Sequence, residues 1–251
     1  MEKLDIAEPW LRQLLPQGWP IGTSTLITGP GGSGKPLIGN VMVSNWLKQG
    51  GSVVFMSLQY PSSDFTATGL ERVTGEELAD YEGHIAFIEL DAAMEDMETV
   101  SQNRIRGNLV KPSVWTAALE KAISSLPREG PGVLVFGSAL NLLLFSPTFG
   151  TGILAEIKAT MAKTDTLTFL FSVSSTAKKE MIAELEEVAD NLLVAHSNRD
   201  PFRLFLRVER MEGVPFSPEE VEVPISEETL TEIKTVADHS RRRVIPLVSS
   251  L

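Results

Sequence analysis

The 251-residue chain contains no cysteine. Disulfides, thiolate zinc sites and cysteine nucleophiles are therefore excluded, while the redox compartment is left open. Cations are scarce: 22 lysines and arginines stand against 33 aspartates and glutamates, for a formal charge of -11. So acidic a chain is ill suited to broad capture of nucleic acid or anionic membrane, and it is read as a soluble cytoplasmic protein. Long apolar runs are missing as well. The most apolar stretch, Val133 to Phe145, is too short for a bilayer span and is interrupted by Gly137, Ser138 and Asn141, so it is expected to be buried sheet. Met1 to Trp10 carries Glu2, Asp5 and Glu8 without an apolar run, which argues against a signal peptide. His84, His196 and His239 lie too far apart for ligand spacing and are read as ordinary polar side chains.

What is present is globular. Hydrophobic residues make up 43% of the chain and charged residues 22%, an ordinary balance for a packed domain. One domain over 1–251 is expected, with a core over about 15–196, a C-terminal β extension over about 202–225 and a tail over about 226–251. Short β-rich apolar runs alternate with helical patterns, which predicts parallel strands joined by crossover helices. The strands are expected at 23–29, 52–58, 84–90, 132–137 and 166–173. Between the first two, Leu37, Val41, Val43, Trp46 and Leu47 recur at near-helical spacing before Gly50 and Gly51 end the helix. A second helix is predicted with Ser113 as N-cap and Pro127 as terminator, and the polar stretch from Glu95 to Lys111 as a loop. Near the end, 202–225 alternates around glycine and prolines and predicts an antiparallel extension. Trp10, Trp19, Trp46 and Trp115 are read as core or interface residues.

The segment GPGGSGKP, residues 29–36, meets the phosphate-loop pattern at Gly29, Gly34 and Lys35 but has Pro36 where a hydroxyl belongs. It lies between a predicted strand and a predicted helix, the context such a loop needs. Gly29, Gly31, Gly32, Ser33, Gly34, Lys35 and Pro36 are thus the candidate nucleotide-binding residues, with ATP or ADP as ligand. Proline's fixed φ suits a first helical turn, but it supplies no metal-binding hydroxyl and no N–H. A hydrogen bond to a charged group contributes about 1.5–3 kcal/mol, so that one N–H is worth roughly tenfold or more in phosphate affinity. The competing reading makes the loop only a sharp strand-to-helix turn.

Taken in order, these segments resemble the KaiC-like and RadA-like branch of the RecA superfamily of ATPases, from about Leu15 to the terminal hairpin. The stretch 14–36 is similar to the family's opening segment and phosphate loop, 52–61 to its second strand, 133–145 to its Walker B strand, and 184–196 to the helix and strand before the hairpin. The resemblance implies a RecA-like α/β fold, a mainly parallel sheet flanked by helices. It also implies catalytic positions that this chain fills differently. Gln59 and Tyr60 stand where the family has a pair of acids, and glutamine orients water without accepting its proton. Gly137, followed by Ser138, stands at the metal-linked aspartate, and Arg210 is followed by Glu212 where a second basic residue is expected for a neighbour's phosphate. Glu89 and Asp91, ending the third strand, are the candidate substitute metal ligands, with a solvated strand end as the competing reading.

Phosphoryl transfer depends almost wholly on positioning and charge neutralisation, so these changes compound, and impaired Mg²⁺ binding is expected. The leading expectation is a non-hydrolytic regulatory or scaffold protein acting through protein partners, related ATPases or copies of itself, in an oligomeric state the sequence leaves open. A weak ATPase or nucleotide sensor is the alternative. A recombinase-like DNA role through the 104–111 region or Arg241 to Arg243 is the second alternative, although that arginine run reads more simply as a solvated cluster. Lys178 and Lys179 follow the fifth strand, where ligands gather in parallel sheets, and are candidates for phosphate-directed charge, although they read more simply as a solvated helix start.

Overall fold

The computed structural model describes residues 2–59, 63–164 and 166–251, so Tyr60 lies outside the described residues. A small clasp opens the chain: β1 (Lys3–Leu4), α1 (Pro9–Leu14) and β2 (Trp19–Pro20), with β1 and β2 paired antiparallel. The first crossover unit is β3 (Ser24–Thr28), α2 (Lys35–Lys48) and β4 (Ser52–Ser57). Residues Leu37 to Leu47 of α2 are all buried, so this helix is enclosed rather than amphipathic, and Gly50 at φ 80 ends it as expected. Next come α3 (Ser63–Thr74) and β5 (Ile85–Leu90).

The stretch after β5 departs from the expected loop. It forms β6 (Met97–Ser101) and β7 (Arg104–Gly107), an antiparallel hairpin at the sheet edge, with β7 parallel to β5. The polar residues there belong to an edge strand exposed along most of its length, which has no apolar alternation to reveal it. In α4 (Pro112–Ser124) the N-cap is Lys111, so the expected cap Ser113 is instead inside the first turn. Proline's preset φ lets Pro112 open the helix one residue earlier.

The remaining elements are β8 (Val133–Gly137), α5 (Gly150–Met161), β9 (Leu167–Ser172), α6 (Lys179–Val188), β10 (Asn191–Arg199), β11 (Phe202–Arg210), β12 (Val221–Val223) and α7 (Glu227–Ser249). A 3₁₀ segment, Leu140–Phe145, links β8 to α5. The main sheet has ten strands in the order β12-β11-β10-β3-β9-β8-β4-β5-β7-β6. From β10 to β7 every neighbouring pair is parallel, while β11, β12 and β6 run antiparallel at the margins. This is an α/β fold with a large, mainly parallel sheet flanked by helices.

Both faces of the sheet are covered, as unbroken apolar strands require. One core holds Trp19, Trp46, Phe55 and Phe136, and the other holds Trp115, Phe169 and Phe171. Each tryptophan among these is fully buried and keeps its indole N–H paired: Trp19 with Thr25 Oγ1, Trp46 with the Gly132 carbonyl, Trp115 with Thr160 Oγ1. Trp10 packs partly buried against the first core. Among the described residues, no helix is long and apolar enough to cross a membrane.

Candidate functional site

The phosphate-loop segment leaves the carboxyl end of β3, the usual place for a ligand in a parallel sheet. Two glycines there are required by geometry. Gly29 has φ 140, and a β-carbon on it would lie 1.9 Å from the carbonyl oxygen of Ala195 in the neighbouring strand β10. Gly34 is the left-handed N-cap of α2 at φ 66, where a β-carbon would meet Leu204 Cδ1 at 2.8 Å. Between them the loop wraps its own lysine. Lys35 Nζ donates to the carbonyls of Gly29 at 2.9 Å and Pro30 at 2.6 Å and to Ser33 Oγ at 3.0 Å, and Ser33 Oγ donates to the Pro30 carbonyl at 2.8 Å. Lys35 is only 6% exposed. No side chain caps α2, so the start of the helix is open to an anion, with one N–H fewer because of Pro36.

In front of the loop lies a cavity of about 80 Å³. Residues 31–37 form one side of it, and Gln59, Ala139 and the end of β9 at Ser172 to Ser174 contribute others. The structure therefore gathers Gly31, Gly32, Ser33, Gly34, Lys35, Pro36 and Gln59 around one space. Gln59 is buried and its Nε2 donates to Ser138 Oγ at 3.2 Å. Beside that serine, Gly137 ends β8 against β9. A β-carbon at 137 would stand 3.1 and 3.2 Å from Cδ1 and Cε1 of Phe171, so any side chain there displaces the ring by a few tenths of an ångström.

Glu89 and Asp91 are placed elsewhere. Glu89 lies in β5 and Asp91 just after it, and β5 is separated from β3 by β4, β8 and β9. Glu89 accepts from Arg104 Nε at 3.2 Å and from Arg106 at 3.4 Å, and Asp91 accepts the Ala93 N–H at 3.1 Å in a local turn. Lys178 caps α6 with its ammonium 5.4 Å from the centre of the Phe145 ring, and neither it nor Lys179 lines the loop cavity. Arg210 is turned inward: it donates to the carbonyls of Glu186 and, at 2.6 Å, Ala189, fastening the end of α6. The Glu212 N–H binds Asn191 Oδ1 at 2.9 Å. Among the described residues, no three His, Asp or Glu side chains cluster as a metal site.

The cavity also has walls that sequence reasoning missed. Leu230 and Asp238 of α7 line it, although they lie about two hundred residues from the loop in sequence. The helix itself had a signal, since Ser226 caps it by accepting the Thr229 N–H at 3.1 Å and Glu227 and Glu228 follow. Its destination had none.

A family model for the KaiC ATPases matches residues 8–236. The chain belongs to the KaiC ATPase family. A KaiC-like protein from the hyperthermophilic archaeon Pyrococcus horikoshii shares the fold, with a TM-score of 0.64 at 15% identity over 90% of this chain and 95% of that one. No curated protein sequence matches. For this KaiC-family member, the residues at the loop fit phosphate groups in part: glycine curvature, a helix start and a buried ammonium are all present. They do not fit a magnesium ion held in the usual way. The hydroxyl position is Pro36 and the carboxylate position suggested by the family resemblance is Gly137.

Proposed function

We propose that this KaiC-family protein does not hydrolyse ATP and acts as a regulatory or scaffold protein through protein partners. The observation that carries the reading is the combination of Pro36 at the loop with Gly137 beside Phe171, which leaves both positions that hold the metal in the resembled family without a side-chain oxygen. Gln59, bound to Ser138, offers the position of the water-activating acid an amide that cannot take a proton. Phosphoryl transfer without its metal and base loses its main sources of charge stabilisation. Steady-state turnover of Mg-ATP is expected to equal that of a Lys35→Ala control. Turnover clearly above that control rejects the reading.

A second reading, nucleotide binding without turnover, is favoured by the retained loop geometry around Lys35. It expects calorimetric binding of ADP that is lost in Lys35→Ala. The DNA-directed alternative is weakened because Arg104 and Arg106 face Glu89, and Arg106 also faces Glu98 at 3.9 Å. Retention of single-stranded DNA on a filter at low salt would revive it.

A further inference from the structure

The described length of α7 is 23 residues, roughly 35 Å of helix at 1.5 Å per residue, and it is anchored in both cores of the molecule. Leu230, near its start, is buried in the core that α2 shares. Val248, near its end, is fully buried in the core on the opposite face of the sheet, where Val244 and Leu251 pack beside it. The helix thus passes from one face to the other, packing on the 3₁₀ segment 140–145 and against α3 on the way. Arg72 of α3 pairs with Glu232 of α7 at the surface. With the anchor Leu230 and, between the anchors, Asp238, α7 walls the loop cavity.

Two physical consequences follow from that position. Sites for small organic ligands occupy roughly 300–1,000 Å³, whereas about 80 Å³ stands in front of this loop with α7 in place. That enclosed space suits a phosphoryl group, and the site is open to solvent on one side beyond it. Asp238 also brings a carboxylate to a cavity whose other side is a helix start and a lysine, the surroundings that favour a phosphate. Leu230 and Asp238 thus narrow the approach to the loop.

We propose that α7 is a cis-acting cover of the phosphate loop, which keeps nucleoside diphosphates and triphosphates out until the helix is displaced. The inference rests on the second reading above, that the loop retains phosphate affinity, and it adds the device that governs access. The weak point of the cover is Pro246, inside α7, which has no N–H for the carbonyl one turn earlier. Affinity measured on the whole chain is then the intrinsic affinity scaled by the fraction of molecules with α7 lifted.

The test uses the full chain, ADP as probe and two variants outside the phosphate loop. Arg72→Glu replaces the surface pair with repulsion, and Asp238→Asn removes the carboxylate while keeping its shape. Each is expected to tighten ADP binding in calorimetry, Arg72→Glu by roughly fivefold, and adding Lys35→Ala to either is expected to abolish the gain. In amide exchange, saturating ADP is expected to speed exchange along 227–245 while slowing it in 29–37. Equal ADP affinity in wild type and both variants overturns the cover, as does α7 protection that ADP leaves unchanged or increases. If neither variant binds ADP at millimolar concentration, the cover falls together with the second reading, while the non-hydrolytic reading stands. If a variant binds and turns over Mg-ATP, the non-hydrolytic reading falls while the cover stands.

Discussion

Tyr81 donates its hydroxyl to Glu76 Oε2 at 2.5 Å, and Lys48 pairs with the same carboxylate at 2.9 Å. Burial, with the Glu76 carboxylate beside it, pushes the Tyr81 phenol up to about 12, and the Tyr81 hydroxyl together with Lys48 holds Glu76 below the ordinary carboxylate range. A raised phenol contributes stability that is whole below its unfolded value of about 10 and is lost as pH climbs through the folded one. Glu76 acts oppositely, contributing above its unfolded value and losing that contribution as pH falls through the lowered one. The chain has two tyrosines, so in Tyr60→Phe the ultraviolet phenolate signal belongs to Tyr81 alone. Its midpoint is expected near 12 in the folded protein; an ordinary midpoint near 10 would show that neither the burial nor the Glu76 contact is in place. Gly137→Asp is expected to destabilise by about 1–3 kcal/mol in urea unfolding, because a side chain crowds Phe171. An unchanged midpoint would show that the ring gives way without cost. At this scale the sequence was readable where a residue type is itself the signal, as at Gly29, Gly34 and Pro36. It was unreadable at Phe171, whose meeting with Gly137 is made only by strand pairing.

The elements divide along the same line. β3, β4, β8 and β9 are buried on both faces and α2 is buried nearly all round, and their sequence patterns place them within a residue or two. The β6–β7 hairpin escaped because β6 is largely exposed and Ile105 is the one apolar side chain that β7 sends into the core. Glu89, whose side chain is 11% exposed, holds it to β5 through Arg104 and Arg106. Glu89→Gln removes the charge that both arginines answer, and is expected to cost about 1–3 kcal/mol, with amide exchange accelerating selectively over 97–107. Uniform acceleration across the sheet would indicate general destabilisation instead. The start of α4 shows a narrower failure, where one proline outweighed a good capping serine.

At the scale of the molecule, parallel strands joined by helices and closed by an antiparallel margin were legible from the order of motifs. The position of β10 between β3 and β11 was not, because strand order is set by tertiary packing rather than by local pattern. That position makes the terminal segments structural. Ending the chain at Ala189 removes β10, β11, β12 and α7, and leaves β3 with an unpaired edge beside the loop. The shortened protein is expected to aggregate on expression under conditions that keep the full chain in solution. A monomeric product with native-like exchange protection in β3 would contradict that expectation.

Asn191 bonds Thr25 across 166 residues of sequence, and β10 seals the strand that carries the loop. On a ribosome working at roughly 5–20 residues per second, the partner emerges about ten to thirty seconds after the loop strand does. For that interval the nascent chain carries an open flank beside β3, so the phosphate-loop segment is among the last features of the molecule to mature.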